Sequence, residues 1–231
     1  RMDEHLYKNS QAFMCAMLSN MSRMQTTSLL AAMNEISNHD HSRFLTRTNR
    51  TVGRLDYKGD LAASEGINFG IFRAAAIIQM TWPGAPTIYY GDEAGVCGWT
   101  DPDSRRTFPW GKENHELIEF HRYLTSIRKQ NLAFRTGSFK PLLAEKGLIA
   151  YGRFHKRERG VVLVNSDKFV QRVQIPVWET EVTGPYMERI MLSTAERYNV
   201  GRMQYPVEDG RMTVEIGPYS AMIFEEIVLD F

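Results

Sequence analysis

Apolar and polar positions change period near residue 131. Upstream of it the pattern is helical and interrupted. Between residues 9 and 24, Phe13, Met14, Met17, Leu18, Met21 and Met24 recur at helical spacing and predict a helix with a core-facing methionine stripe. Residues 29–36 predict a short buried strand that ends at Asn38, His39 and Asp40. The polar stretch 46–60 predicts a long loop. Ser64 and Glu65 open a second helix that runs to about Met80. It is apolar nearly all round, through Ile67, Phe69, Ile71, Phe72, Ile77 and Ile78, which predicts burial. Pro83, Gly84 and Pro86 end it. Residues 87–90, β-branched and aromatic, predict a strand, and Gly91, Asp92 and Glu93 follow at once. A loop rich in Gly, Asp and Pro reaches Trp110, and an amphipathic helix covers about 114–130. Helix, strand, helix, strand, helix is the alternation of βα units around a parallel sheet.

Downstream, short alternating runs are separated by turn residues. Candidate strands are 138–143, 148–155, 160–165, 170–175, 186–192, 211–216 and 221–226, a spacing that predicts an antiparallel sandwich. Two units follow, 1–131 and 132–231. With 28 basic and 27 acidic residues the formal charge is +1 and there is no basic tract, so a nucleic-acid partner is not indicated. The longest apolar stretch, 69–82, contains Arg73 and Gln79 and falls short of the ~18 unbroken apolar residues of a membrane span. Cys15 and Cys97 sit in no CxxC pair, which argues against a structural zinc site. Arg1 precedes Met2 and no signal peptide is visible, so the start reads as that of a processed chain or an excised piece.

Three segments could carry chemistry. Asn38-His39-Asp40 places an imidazole and a carboxylate at the end of a parallel strand, where βα barrels gather their reacting groups. The pair suits acid/base work, hydroxyl binding or metal ligation, and equally the capping of a turn. Asp92 and Glu93 follow the next strand and would touch substrate or hold loop backbone and charge partners. In Asp101-Pro102-Asp103-Ser104-Arg105-Arg106 the two arginines are most simply partners of the carboxylates beside them.

The order of these motifs resembles a family. Asn38-His39-Asp40 with Arg43, then Pro83-Gly84-Ala85-Pro86 running into Ile88-Tyr89-Tyr90-Gly91-Asp92-Glu93, then Asp101-Pro102-Asp103 and Arg105-Arg106, look like the α-amylase family of glycoside hydrolases. The flavour is that of neopullulanases, cyclomaltodextrinases and oligo-1,6-glucosidases. The resemblance implies the C-terminal part of a (β/α)8 barrel, its seventh and eighth strands, followed by an antiparallel β-sandwich. It implies a retaining α-glucan hydrolase acting on α-glucan or maltooligosaccharide. Asp40 matches the third catalytic carboxylate, which holds sugar hydroxyls and stabilises the oxocarbenium-like transition state. Asn38, His39 and Arg43 are the implied substrate-binding residues.

The family's nucleophile lies in a Gly-x-Arg-x-Asp pattern on the fourth strand, and its acid/base on the fifth. Arg1-Met2-Asp3 echoes the former, but Asp3 and Asp40 are only 37 positions apart. Three strand-to-strand steps at ~30 residues each do not fit. Glu4 adjoins Asp3 and Glu35 shares a segment with Asp40, so neither serves as the acid. The chain is therefore expected to be inactive alone. No cofactor is visible in this chain; the resemblance leaves calcium open for the parent enzyme, since family calcium ligands lie mostly in the part not present here. The flavour leans cytoplasmic. An unclosed barrel should leave the faces carrying Ile67, Ile71, Ile77 and Ile78 uncovered and favour self-association. The alternative is a non-catalytic glucan-binding or interaction module with Trp178 and Tyr186 as stacking platforms, although such aromatics more simply pack against the barrel.

Overall fold

Asn9 starts the first helix by accepting a hydrogen bond from the backbone N–H of Ala12 at 2.9 Å. A computed structural model describes residues 9–227. The Arg1-Met2-Asp3 echo and Glu4 lie outside the described residues. In chain order come α1 (Ser10–Ser22), α2 (Thr26–Ala31), β1 (Met33–Asn34), α3 (Phe44–Arg47), α4 (Leu55–Lys58), α5 (Phe69–Thr81), β2 (Ala85–Pro86), α6 (His115–Gln130) and α7 (Leu132–Thr136). β1 and β2 are parallel, with Met33 opposite Ala85 and Asn34 opposite Pro86.

Several elements differ from their sequence reading. The run 29–36 does not form one strand: its first half extends α2, since Leu and Ala favour helix where no sheet partner competes. The strand expected at 87–90 pairs instead at Ala85 and Pro86, ahead of it, although the N–H of Thr87 still donates to the carbonyl of Asn34 at 2.9 Å. The loop 46–60 contains α4 and the last residues of α3. Helix α5 starts five residues late. Gly66, at φ +64°, breaks the chain direction, and Asn68 caps the helix by accepting from the N–H of Ile71 at 2.9 Å. Ile77 is fully buried rather than uncovered, and Ile67, Ile71 and Ile78 are half-buried.

The antiparallel strands are β3 (Ser138–Glu145), β4 (Leu148–His155), β5 (Glu158–Asn165), β6 (Gln171–Ile175), β7 (Tyr186–Ser193), β8 (Tyr198–Asn199), β9 (Met203–Glu208), β10 (Arg211–Ile216) and β11 (Ser220–Glu226). They run in the order β3-β4-β5-β11-β7-β9-β10-β6, with β8 on β7. Sequence reading misses β8 and β9. β9 holds Pro206 and crosses from β7 to β10, and only Tyr205 and Val207 turn inward, half-buried, so its alternation is short and weak.

Strands β4 and β5 are buried on both faces. Leu148, Ala150, Val161 and Leu163 point into the sandwich interior with Val214, Ile216 and Phe224. Their neighbours Ile149, Tyr151, Val162 and Val164 point the other way, onto Met14, Ile77, Phe120 and Leu124 of the helices. This explains the near-continuous apolar runs of β4 and β5, whereas β10 alternates buried and exposed.

Buried Arg153 and Arg73 lock the helical part to the sandwich, and half-buried Arg128 ties α6 to the end of α5 and to α7. Arg153 of β4 donates to the carbonyls of Thr81, Phe134, Gly137 and Ser138. Arg128 of α6 donates to those of Met80, Gly84 and Phe134. Arg73 of α5 reaches Ser193 and the carbonyl of Thr194. They satisfy helix-terminal and turn carbonyls that would otherwise be buried without partners. Among the described residues no helix is long and apolar enough to cross a membrane.

Candidate active site

Beyond β1 the chain turns sharply on Asn38. Its Oδ1 accepts from the N–H groups of Asp40 and His41 at 3.0 and 3.1 Å, and its Nδ2 donates to Glu35 at 2.9 Å. This Asx turn sets the direction of the two residues that follow. His39 Nε2 lies 3.3 Å from Asp40 Oδ1, with the side chains 56% and 66% exposed. The carbonyl of His39 accepts from the Ser104 hydroxyl at 2.8 Å, which ties the turn to the loop after β2.

Arg43 differs from its sequence-based placement at the substrate. It is wholly buried. Its Nε donates to the carbonyl of Ser104 at 2.8 Å, and its Nη1 to the carbonyl of Tyr90 at 2.6 Å and to Asp92 Oδ1 at 3.2 Å. The guanidinium stands 4.0 Å from the Tyr89 ring centroid and 4.7 Å from that of Tyr90. Arg43 thus meets the turn from behind and fastens it to the other loop.

Asp92 is the buried partner. Burial pushes its carboxyl up to about 6, against the hydrogen bond of Ser37 and the attraction of Arg43, which favour the charged form. Asp92 thus acts as a buried charge partner of Arg43. Glu93 turns toward α6, where it lines a cavity with Tyr90 and His121.

The loop after β2 is fixed in its turn. Arg106 pairs with Asp103 at 2.7 Å and donates to the carbonyl of Asp60, and Arg105 pairs with Asp101. Both arginines therefore take the carboxylate partners adjacent to them in the chain. Trp99 Nε1 donates to the carbonyl of Gly59 at 3.0 Å, and the Tyr90 hydroxyl to the carbonyl of Arg106 at 2.9 Å. The loops after β1 and β2 thus form one bonded unit with His39 and Asp40 on its surface. Ser104, Tyr89 and Tyr90 stand inside segments that the sequence marks, but nothing there gives them a role of their own: Ser104 and Tyr90 offer backbone carbonyls to Arg43 and donate their hydroxyls to the carbonyls of His39 and Arg106, and the two tyrosine rings pack on the Arg43 guanidinium.

Chemically, an exposed imidazole beside an exposed carboxylate offers acceptors and a donor to hydroxyl groups, and a negative charge to any cation formed next to it. Among the described residues no group of three or more His, Cys, Asp or Glu is placed to hold a metal ion. On the sandwich, Trp178 is 56% and Tyr186 43% exposed, so neither is packed away against the helices.

The catalytic-domain profile of alpha-amylase matches residues 3–132, more than half of the chain. An amylopullulanase of Thermoanaerobacter thermohydrosulfuricus is 31% identical over 201 residues, which are 84% of this chain and 13% of that protein. A cyclomaltodextrinase of Thermoanaerobacter pseudethanolicus is 36% identical over 135 residues, 58% of this chain and 21% of that protein. The chain thus spans only a small part of the relatives it matches. Among solved structures, a debranching enzyme from Nostoc punctiforme superposes with a TM-score of 0.71 at 22% identity, over 93% of this chain and 39% of that one. The fold is accordingly the C-terminal part of a (β/α)8 barrel followed by an antiparallel sandwich. With profile, relatives and fold in agreement, the chain belongs to the α-amylase family of glycoside hydrolases.

Proposed function

We propose that this chain supplies part of the active site of a retaining α-glucan hydrolase that cleaves α-1,4- or α-1,6-glucosidic bonds. The observation that carries the reading is the exposed His39–Asp40 pair at the carboxyl end of a parallel strand, with a buried ion pair behind it. Asp40 holds sugar hydroxyls and stabilises positive charge as the glycosidic bond breaks. His39 donates to a hydroxyl of the same sugar. Asn38 shapes the turn, and Arg43 is a positioning residue that acts through it. The names of the matched relatives, amylopullulanase and cyclomaltodextrinase, support α-glucans and maltooligosaccharides as the substrate class.

Retaining hydrolysis needs a nucleophile and an acid about 5–5.5 Å apart. In this reading neither is Asp40, and both come from strands outside this chain. The chain alone then releases no reducing sugar from starch, pullulan or cyclodextrins. In an enzyme containing the whole barrel, Asp40→Asn lowers kcat by about 100-fold or more with the fold intact, because an ionised carboxylate acts mainly on the charged transition state. Steady-state kinetics check this; near wild-type turnover removes the assignment.

A further inference from the structure

The loop after β2 carries an indole that none of the contacts above uses. Trp110 is 81% exposed, against 56% for Trp178, 3% for Trp82 and 1% for Trp99. Its ring centroid lies 4.5 Å from that of half-buried Phe108, the planes inclined at 50°. The backbone here folds back on itself: the N–H of Trp110 donates to the carbonyl of Phe108 at 2.9 Å, and that of Lys112 to the carbonyl of Pro109 at 2.8 Å. Gly111, at φ +77°, supplies the left-handed step this turn requires. The backbone that carries Trp110 is therefore set by the turn before any ligand arrives, and its indole stands largely open beside the Phe108 ring.

The root of this loop stands beside the candidate active site. The Arg105 guanidinium is held in its charged form by its hydrogen bond to Asp101 and, more weakly, by the nearby Asp40 carboxylate. Arg106 is clamped by Asp103 and by the carbonyl of Asp60. Five residues extend at most ~18 Å, so Trp110 lies within that reach of Arg105. It belongs to a βα loop, on the face where parallel strands end and substrates bind.

Ligand class follows from the shape of the surface. An isolated exposed indole cannot enclose an apolar molecule. It can cover the C–H face of a pyranose while the ring hydroxyls stay in water, so no polar group is buried without a partner. We propose that Trp110, backed by Phe108, is a stacking platform for a glucose unit of an α-glucan several units away from the one at Asp40. It thereby favours long chains over maltose. The inference rests on the proposed α-glucan reading and extends it to a named binding position.

Isothermal titration of the 231-residue chain with maltoheptaose tests it, with maltose as the short ligand and circular dichroism to verify each variant's fold. Maltoheptaose should bind saturably and maltose more weakly. Trp110→Ala should weaken maltoheptaose by about tenfold or more, Trp110→Phe should restore most of the loss, and Trp178→Ala should change little. Absence of saturable maltoheptaose binding by the wild-type chain at millimolar concentrations overturns the proposal. So does a Trp110→Ala variant that binds like wild type, or a loss of binding that follows Trp178→Ala instead. The two readings fail separately. Binding that depends on Trp110 while Asp40→Asn leaves turnover intact keeps the platform and removes the role of Asp40. The reverse result removes the platform alone.

Discussion

Asp40 and Asp92 follow neighbouring strands, yet their surroundings give them opposite tasks. Asp40 is open to solvent and beside His39, whereas Asp92 is 2% exposed and set against Arg43. For Asp92, burial outweighs attraction and its carboxyl sits at about 6, above the ordinary 3.8. The folded chain therefore binds this proton more tightly than the unfolded chain does. The resulting stabilisation is complete below about pH 4 and is lost as pH rises through about 6. Two pK units correspond to roughly 3 kcal/mol. Urea denaturation should show the wild type losing about 1–3 kcal/mol relative to Asp92→Asn between pH 4 and pH 7. Parallel pH profiles for the two proteins contradict this account. Removing the other partner is harsher: Arg43→Met leaves a buried carboxylate alone and should cost about 3–5 kcal/mol at neutral pH, read from the same denaturation midpoint.

At the scale of the element, α5 holds the molecule together. One side packs on α6, and the other lies on the sandwich, where Arg73 reaches Ser193 and Thr194. Gly70, the second residue of α5, permits that approach. A Cβ there would sit 2.7 Å from the Cα of Ala195 and 2.7 Å from the carbonyl oxygen of Tyr219. Both are backbone atoms of sandwich loops and cannot rotate aside. Helix propensity alone favours Gly70→Ala by ~1 kcal/mol. Overpacking costs about 1–3 kcal/mol and includes a shift of the helix against the sheet, so the cost prevails. Gly70→Ala should lower the unfolding midpoint. An unchanged or raised midpoint means that the helix and sandwich adjust to one another freely.

Taken whole, the described molecule has an unbalanced surface. β1 and β2 pair with each other and, among the described residues, with no further strand. Met33 is 63% exposed, and Ile88, Tyr90 and Phe13 lie between 37% and 41%. Beside β1, a cavity of about 440 Å³ is lined by Phe13, Met17, Met33, Ile36, Ile78 and Trp82. Open strand edges next to apolar side chains favour association. The purified chain should self-associate or bind a hydrophobic dye. Light scattering that shows a clean monomer with no dye binding would contradict this.

Periodicity carried most of the architecture. The sandwich strands are legible because alternation, as in β10, and short apolar runs bounded by turn residues, as in β4, are local properties, and α6 because Leu117, Phe120, Leu124 and Ile127 repeat at helical spacing. Motif order carried the family, and the position of His39 and Asp40 after a strand marked them as candidate chemistry. Elements whose form depends on distant partners were not legible. A two-residue parallel strand exists only because Ala85 and Pro86 lie beside it, and β9 only because β7 and β10 accept it. The division of labour among the polar residues was hidden for the same reason. Arg43 and Asp92 are 49 positions apart, and nothing in either segment tells a guanidinium facing substrate from one buried behind it. Burial is a property of the packed molecule: side chains from both loops close over Arg43 and Asp92 and leave Asp40 in water, and only the tertiary structure decides which carboxylate that is.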